Sequence, residues 1–237
     1  AHMEAHDKTR MTEALDLARL GVGSVEPNPA VGCLVVKEGQ TVGKGWHEVF
    51  GGPHAEINAL ADCRKAGADP QDATLYVTLE PCCHQGKTGP CTEAIIAAKI
   101  AQVIIATRDP ARHADGQGIR RLEEAGIRVV TGVCEREAQL LNAPFFQFAQ
   151  TGKTWVVLKW AQSVDGKLAH ANPVEERWIS GPESRCDAHT LRRRTQAILV
   201  GINTVITDNP LLTPRPAQGH NPLRIVLDNS FRIPVQC

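Results

Sequence analysis

Three short motifs constrain this chain more than any other feature of its sequence: His54-Ala55-Glu56, Pro81-Cys82 and Pro90-Cys91. One imidazole and two thiolates are a sufficient ligand set for a zinc ion that keeps a fourth position open for water. Glu56 stands two residues after the histidine, and its carboxylate remains available to accept and donate protons. The motifs therefore predict a metal site with His54, Cys82 and Cys91 as ligands and Glu56 as the catalytic residue.

The hydrophobic pattern around these motifs predicts where they lie. Apolar residues three and four apart predict a helix from His54 to Lys65, and a second helix begins at Cys91. A strand over Thr74–Leu79 ends where the cysteines begin. A histidine and a glutamate in the order H-x-E, followed by two cysteines that each come after a proline, are typical of zinc-dependent nucleobase deaminases. The predicted chemistry is therefore hydrolytic deamination.

The rest of the chain predicts an α/β fold in two domains. Strands that alternate with helices indicate a three-layer α/β/α domain, whose mostly parallel sheet opens with an antiparallel hairpin. We expect residues 1–3 to be a tag remnant, residues 4–151 to form this domain and residues 152–237 to belong to a second one. The further predicted elements are helices over Thr12–Gly21, Ile119–Ala125, Glu135–Gln150 and Pro182–Arg194, and strands over Val31–Val36, Gln40–His47, Gln102–Thr107, Arg128–Thr131, Trp155–Ala161, Ala197–Gly201 and Leu223–Asp228.

Composition narrows the class of substrate. Lys plus Arg and Asp plus Glu are both 26, so the formal net charge is zero, and the chain has only one Tyr, five Phe and four Trp. A chain with neither basic excess nor many aromatic residues gives no reason to expect nucleic acid as a partner. No segment approaches the ~20 apolar residues of a membrane span, and no amino-terminal signal pattern is present. We expect a cytoplasmic enzyme with reduced thiols and a small-molecule substrate.

Eight residues separate Cys82 from Cys91, and this loop contains two side chains that suit a phosphate group, His84 and Lys87. Cys83 is expected to be a spectator, because side chains of adjacent residues usually diverge. Two alternatives stay open. One is a deaminase of a free base or nucleoside, and the other is a non-catalytic zinc-binding module, in which Cys83 or His84 would supply a fourth ligand.

These motifs, together with Pro27-Asn28-Pro29, Gly45-Trp46-His47 and the whole run from Thr78 to Cys91, resemble the bacterial bifunctional deaminase/reductases of riboflavin biosynthesis. The resemblance implies a cytidine-deaminase-like domain that hydrolyses the 2-amino group of 2,5-diamino-6-(5-phosphoribosylamino)pyrimidin-4(3H)-one. It implies one zinc ion per chain. It also implies that the substrate is contacted by Asn28, His47, His84, Lys87 and Asp109. The family usually has asparagine where this chain has Ala111, which removes one amide partner.

The second half resembles the family's dihydrofolate-reductase-like domain, which uses NADPH to reduce the ribosyl side chain. The similar segments include Ser163-Val164-Asp165-Gly166, Trp178-Ile179-Ser180 and the run from Asp208 to Arg215. The resemblance implies cofactor contacts from Ala161, Trp178, Thr204 and Asp208. It implies substrate contacts from Lys159, Arg192, Leu212 and Arg215. Because the family's reductase domain extends further, we expect an incomplete reductase here, and the family also implies a homo-oligomer.

Overall fold

The computed structural model describes residues 2–83, 89–111, 116–170, 178–215 and 221–236. The chain forms two compact units, Ala1–Trp155 and Val156–Cys237. Within the described residues, no helix is both long enough and apolar enough to cross a bilayer.

The first unit alternates helices with short strands. In chain order its elements are α1 (His2–Gly21), β1 (Gly32–Lys37), β2 (Gln40–Trp46), α2 (Ala55–Lys65), β3 (Thr74–Val77), α3 (Cys91–Ala97), β4 (Gln102–Ile105), α4 (Gln117–Glu124), β5 (Arg128–Thr131), α5 (Glu135–Leu141) and α6 (Ala143–Thr151).

The five strands of this unit form one sheet in the order β2-β1-β3-β4-β5. β1 runs antiparallel to both of its neighbours, β2 and β3, while β3, β4 and β5 are mutually parallel. The parallel register aligns Val77 with Ile105 and Ile105 with Thr131. The carboxyl ends of the three parallel strands therefore meet at one edge of the sheet, and the predicted hairpin followed by parallel strands is confirmed.

Apolar residues cover both faces of the sheet and give the three predicted layers. On one face, side chains of β1, β3 and β4 pack against α2, α3 and α4, with Leu75, Ile95 and Leu122 fully buried. On the other face, β-strand residues such as Ile104 pack against α1 and α5. The three-layer α/β/α prediction is therefore correct.

Two glycines of β2 let α2 lie very close to the sheet. A Cβ atom on Gly45 would stand 2.4 Å from the backbone nitrogen of Ala59 and 2.7 Å from the carbonyl oxygen of Ala55. A Cβ atom on Gly43 would stand 2.2 Å from the sulfur of Cys63. Since real Cβ atoms do not approach so closely, both positions require glycine, and the start of α2 is fixed against β2.

Two predicted helix boundaries in this unit are wrong. α1 begins ten residues before Thr12, because the charged residues that hide the helical period lie on its exposed side while Met11, Ala14 and Leu15 face the core. The helix predicted over Glu135–Gln150 is in fact two helices with Asn142 between them. Pro144 lacks a backbone N–H and its ring crowds the preceding turn, which explains the break.

The second unit has fewer regular elements: α7 (Pro182–Arg193), β6 (Ala197–Gly201), α8 (Ile202–Asp208) and β7 (Leu223–Leu227). β6 and β7 pair in parallel, with Ala197 opposite Leu223. The strand predicted over Trp155–Ala161 is wrong: the segment has no ladder partner among the described residues, and Val156 and Leu158 are about 80% exposed. An apolar run forms a strand only where a neighbouring strand can pair with it. α8 was not predicted, because so short a helix shows only two buried apolar positions, Ile202 and Val205.

Candidate active site

The three predicted metal ligands converge in the first unit. His54 Nδ1 lies 3.5 Å from Cys82 Sγ and 3.3 Å from Cys91 Sγ, and all three atoms lie within 4.8 Å of one another. A nitrogen and a sulfur bound to the same tetrahedral zinc ion stand about 3.5 Å apart, given bonds of about 2.0 and 2.3 Å. In the described ranges of the chain, no other group of three or more histidine, cysteine or acidic side chains has its ligand atoms within 4.8 Å of one another. The donor set therefore fits zinc with an open fourth position.

Local structure explains why these three side chains meet. His54 is the residue before α2, Cys91 is the first residue of α3, and Cys82 follows the end of β3. The backbone N–H of Cys91 donates to the Cys82 sulfur at 3.4 Å, and that of Thr92 donates to the Cys82 carbonyl at 3.2 Å. The start of α3 thus holds the Cys82 segment, and the positive end of the helix favours a thiolate there.

The pKa values of the two cysteine ligands are shifted in opposite directions. The pKa of Cys82 is lowered to about 4, chiefly because the Cys91 thiol donates a hydrogen bond to it and secondly because His54 does the same. The pKa of Cys91 is raised by the neighbouring Cys82 sulfur and by burial. The pKa of His54 is raised mainly by its hydrogen bond with Cys82. The hydrogen bonds from Cys91 and His54 therefore favour the thiolate form of Cys82, which is the form that binds a metal.

Glu56 is buried beside these ligands, with 3% of its surface exposed. Burial raises its pKa to about 7, with a further increase from the Cys82 charge, while a hydrogen bond with Cys91 acts in the opposite direction. A carboxyl group with a pKa near the working pH can both accept and release a proton during a reaction. Glu56 has the place and the protonation behaviour of a proton shuttle.

Asn28 and His47, two of the predicted substrate contacts, lie next to the metal ligands. The His47 ring packs edge-on against the His54 ring, with centroids 5.4 Å apart. His47 Nδ1 donates to the carbonyl oxygen of Pro53 at 2.9 Å, so Nε2 is the acceptor for the Asn28 amide at 3.4 Å. Burial lowers the pKa of His47. A neutral imidazole of fixed tautomer therefore stands beside the candidate metal centre.

Asp109 is tied to the Cys82 segment through Glu80, a residue to which the sequence analysis gave no role. Both carboxylate oxygens of Glu80 are used: Oε2 accepts from the backbone N–H of Asp109 and Gly116 at 3.3 Å, and Oε1 accepts from Gly118 at 3.0 Å and Ile119 at 3.4 Å. Glu80 therefore caps the start of α4 and joins it to the segment that carries the first cysteine ligand. The side chain of Asp109 accepts from the backbone N–H of Ala111 at 2.9 Å.

The loop between the cysteines is only partly described. His84 and Lys87 lie outside the described residues, so their predicted contact with a phosphate stays a prediction. Cys83, the expected spectator, is directed to Gln117, with 3.9 Å between its sulfur and the amide oxygen, and it does not belong to the ligand group.

In the second unit, some of the predicted residues are neighbours. Burial lowers the pKa of Arg192, and the charge of the nearby Arg215 lowers it further. Both guanidinium groups also lower the pKa of His189, for which burial is again the larger cause. Arg192 donates to the carbonyl oxygen of Thr213 at 3.4 Å, next to the buried Leu212. The resulting cluster of two guanidinium groups suits a phosphorylated ligand.

The remaining predicted residues of this unit lie on separate elements. Thr204 and Asp208 are four residues apart on α8 and share one face of that helix. Trp178 is 57% exposed, and the guanidinium of Arg185 lies 4.8 Å above its ring. Lys159 and Ala161 lie on the extended segment that has no ladder partner among the described residues.

Three residues with no predicted role are connected by the structure to predicted ones: Glu80, Asn142 and His189. Glu80 and Asn142 are polar side chains that are only 5% exposed. In the sequence each interrupts an apolar run, Glu80 two residues before Cys82 and Asn142 two residues before Pro144. A polar residue within an otherwise buried run was the available signal.

Comparison with known proteins divides the chain at nearly the same place as the structure. Residues 4–107 match the model of the cytidine and deoxycytidylate deaminase zinc-binding region, and residues 154–237 match that of the RibD C-terminal domain. The riboflavin biosynthesis protein RibD of Aquifex aeolicus (strain VF5) is 49% identical over 231 residues, which cover 97% of this chain and 64% of that protein. RibD of Escherichia coli (strain K12) is 42% identical over 240 residues, covering 96% of this chain and 64% of that protein.

Solved structures of similar proteins also match nearly the whole of this chain. A diaminohydroxyphosphoribosylaminopyrimidine deaminase/5-amino-6-(5-phosphoribosylamino)uracil reductase from Thermotoga maritima is 43% identical, with a TM-score of 0.91 over 97% of this chain and 65% of that one. RibD of Acinetobacter baumannii is 41% identical, with a TM-score of 0.89 over 98% of this chain and 66% of that one. The chain thus spans about three fifths of the length of its curated relatives. Because both segments match models and proteins of one bifunctional group, the chain belongs to the RibD family of riboflavin-biosynthesis deaminase/reductases.

Proposed function

We propose that the first unit hydrolyses the 2-amino group of 2,5-diamino-6-(5-phosphoribosylamino)pyrimidin-4(3H)-one. Water supplies the oxygen that replaces the amino group, and ammonia leaves. The observation that carries the proposal is the ligand triangle of His54, Cys82 and Cys91 with the buried carboxyl group of Glu56 beside it. The Thermotoga maritima relative, which is similar over 97% of this chain, is described as a deaminase of such a phosphoribosylated pyrimidine.

The protein side of the proposed reaction is proton transfer and orientation. When bound by His54, Cys82 and Cys91, zinc supplies a Lewis acid that lowers the pKa of water from 15.7 toward about 7. Glu56, with a pKa raised to about 7, accepts one proton from the attacking water and passes it to a ring nitrogen of the substrate. It then takes the second proton of that water from the hydroxyl of the tetrahedral adduct and passes it to the amino group, which leaves as ammonia as the C–N bond breaks and the carbonyl forms. Asn28 and His47 line the same site and orient the pyrimidine. Asp109, whose backbone N–H is held by Glu80, is also assigned to the substrate.

The phosphate of the substrate is assigned to His84 and Lys87 in the loop between the cysteines. Ammonia release tests the reaction and its substrate. The purified chain is incubated with the phosphoribosylated pyrimidine, with cytidine and with deoxycytidylate, before and after treatment with a zinc chelator. We expect ammonia from the first substrate alone, loss of release after chelation, and recovery with added zinc. Release from cytidine instead would support the nucleoside alternative, and turnover that survives complete zinc removal would refute the mechanism.

For the second unit we propose an NADPH-dependent reductase of the ribosyl side chain. The support is its match to the RibD C-terminal domain and the pair Arg192 and Arg215, which suits the substrate phosphate together with Lys159 and Leu212. Ala161, Trp178, Thr204 and Asp208 are assigned to NADPH. Oxidation of NADPH in the presence of the deaminated product, followed by the loss of NADPH absorbance, tests this assignment. Replacement of Arg192 by alanine is expected to weaken the binding of the substrate and to leave the binding of NADPH unchanged.

We also propose that the chain works as a homo-oligomer in the cytoplasm. Two exposed apolar side chains, Leu140 on α5 and Phe148 on α6, are 65% and 60% exposed and offer contact area for a second copy. A site with two thiolate ligands needs a reducing compartment. Sedimentation of the wild-type chain and of a Phe148→Ser variant tests the oligomer, since the variant is expected to shift toward the monomer.

A further inference from the structure

Asn142, between α5 and α6, makes two hydrogen bonds to a single residue that is 112 positions away. The backbone N–H of Ala30 donates to Asn142 Oδ1 at 2.8 Å, and Asn142 Nδ2 donates to the carbonyl oxygen of Ala30 at 2.9 Å. Asn142 is 5% exposed and Ala30 is 3% exposed. A buried, two-point contact of this kind fixes the position of the backbone that it binds.

The backbone at Ala30 needs such a partner. β1 begins only at Gly32, so Ala30 lies just before the sheet ladder. Its two buried backbone groups still require a donor and an acceptor. The side-chain amide of Asn142 supplies both, as a neighbouring strand would. Aspartate has a similar shape but no donor, and leucine has neither group.

Ala30 also connects two parts of the candidate active site. On its amino-terminal side is Asn28, whose backbone N–H closes a turn onto the Val25 carbonyl at 2.9 Å. On its carboxyl-terminal side, the carbonyl oxygen of Val31 accepts from the backbone N–H of His47 at 2.9 Å. The side chains of Asn28 and His47 meet at 3.4 Å, beside the His54 ring. A displacement of Ala30 would therefore separate Asn28 from His47.

We propose that Asn142 is a positioning residue for deamination: through its paired hydrogen bonds to Ala30, it holds the loop of Asn28 in the conformation that places the Asn28 amide against His47 at the metal centre. The proposal rests on the proposed function for its catalytic meaning, although the geometry that it describes can be tested without any substrate. It also explains why a polar residue stands between Leu141 and Ala143 in an apolar stretch.

The test compares Asn142→Ala with Tyr76→Phe. The second variant removes another side-chain hydrogen bond of the first unit, the partly buried one from the Tyr76 hydroxyl to Asp7 at 2.8 Å. Tyr76 belongs to the apolar cluster between the sheet and α1. For Asn142→Ala we expect KM for the phosphoribosylated pyrimidine to rise about tenfold, the effect of one lost hydrogen bond to substrate. We expect kcat to stay within about threefold and zinc to stay at one per chain. Tyr76→Phe is expected to lower the melting temperature without changing KM.

A second readout needs no activity. The side-chain amide of Asn28 is identified in a ¹H–¹⁵N spectrum of the full chain by its absence from an Asn28→Ala variant. In Asn142→Ala this signal is expected to shift and its hydrogens to exchange faster, whereas in Tyr76→Phe it keeps its position. If Asn142→Ala does not fold, Asn142→Asp carries the test: it keeps the shape and one acceptor, but it replaces the donor by a charged carboxylate oxygen that faces the carbonyl oxygen of Ala30. The same changes are expected.

The outcomes separate this proposal from the function on which it rests. An unchanged Asn28 signal together with an unchanged KM in a folded Asn142 variant refutes the positioning role. A reduced melting temperature with an unmoved Asn28 signal also refutes it, because it would show a purely structural contribution. If the wild-type chain releases no ammonia from this substrate, the proposed function fails, and the Asn28 signal still decides whether Asn142 holds the loop.

Discussion

At the scale of single residues, Glu56 has the most specific duty, because the proposed reaction needs one group that both takes up and delivers a proton. Glutamine has nearly the same shape and cannot do this. We therefore expect Glu56→Gln to lower ammonia release by at least about 10²- to 10⁴-fold, the usual contribution of general acid–base catalysis, while zinc stays bound. Turnover and metal content are measured on the same preparation.

The matched control is Glu93→Gln in α3. Glu93 is a surface residue, half exposed, and pairs with Arg121 at 2.7 Å. Exposed ion pairs contribute little to stability, so this variant should behave as the wild type. Equal rates for Glu56→Gln and Glu93→Gln would remove Glu56 from the mechanism, and loss of zinc from Glu56→Gln alone would make its role structural.

The raised pKa of Glu56 also predicts how the stability of the metal-free protein depends on pH. Burial moves the pKa from 4.5 to about 7, so the folded state binds the proton more tightly than the unfolded chain does. The resulting stabilisation is complete below pH 4.5 and is lost as the pH rises through 7. Between pH 5 and pH 8 the loss amounts to about 2 to 3 kcal/mol.

Urea unfolding of the metal-free wild type and of metal-free Glu56→Gln at these two pH values measures that loss. The pKa of Cys82 shifts in the opposite direction, but this thiol is present in both proteins, so the difference between them isolates Glu56. We expect the wild type to lose more stability than the variant between pH 5 and pH 8. An equal loss in both proteins would mean that Glu56 is ionised in the folded state throughout this range.

Motif spacing was enough to predict that His54, Cys82 and Cys91 come together with Glu56 beside them, since the chemistry that suggests this is a property of residue type. The roles of Glu80 and Asn142 were not predictable in this way. Their partners are backbone groups, 29 to 39 residues away for Glu80 and 112 for Asn142. A backbone N–H is present at every position except proline, so no residue type marks the partner in the sequence. Only the folded chain identifies it.

At the scale of elements, the close contact between β2 and α2 determines where His54 and Glu56 stand. A Cβ atom at Gly45 would overlap the backbone of α2 at Ala55 and Ala59, so α2 would have to move. We expect Gly45→Ala to lower the free energy of unfolding by about 1 to 3 kcal/mol, as overpacking does. Because α2 begins next to His54, we also expect zinc affinity to fall at least about tenfold.

Competition with a chromogenic chelator measures the zinc affinity, and urea unfolding measures the stability. Gly201→Ala is the control, because a Cβ atom at that position meets no atom within 4 Å and the backbone is not left-handed. Gly45→Ala with unchanged zinc affinity would show that the start of α2 does not depend on its contact with β2.

The hydrophobic period identified the elements that pack against a partner of their own unit. It placed α2, α3 and the hairpin of β1 and β2 correctly, because each buries one continuous apolar face. The hydrophobic period gave wrong predictions where an element depends on a partner strand or on a residue that interrupts a helix. The segment Trp155–Ala161 is apolar like a buried strand but has no ladder partner among the described residues, and Asn142 and Pro144 divide what reads as one helix.

At the scale of the whole molecule, the two units differ in how much apolar surface they bury. Both clusters of fully buried residues consist of side chains of the first unit alone. In the described part of the second unit, the buried apolar side chains are Ile202, Val205 and Leu212, while Leu223 and Leu227 on β7 are 65% and 60% exposed. The sequence predicted two domains from the restart of the strand and helix pattern, but it could not predict this difference, because burial depends on tertiary partners.

The first unit also contains every described residue assigned to deamination: His54, Cys82, Cys91, Glu56, Asn28, His47 and Asp109. Its sheet, its two apolar clusters and the described residues of its site all belong to the first unit. We expect a fragment that ends at Trp155 to fold, to bind one zinc ion per chain and to release ammonia with a kcat within about threefold of the full chain, since a change of that size is under 1 kcal/mol. The second unit should contribute only to the reduction.

Two controls make this prediction decisive. The same fragment with Glu56→Gln reports any contaminating activity, and the full chain with Arg215→Ala shows whether a change within the second unit affects deamination. A folded fragment that binds zinc and releases no ammonia would mean that the second unit completes the deaminase site. In that case Arg215→Ala, or another change in the second unit, should alter KM for the deaminase substrate, which two independent sites do not allow.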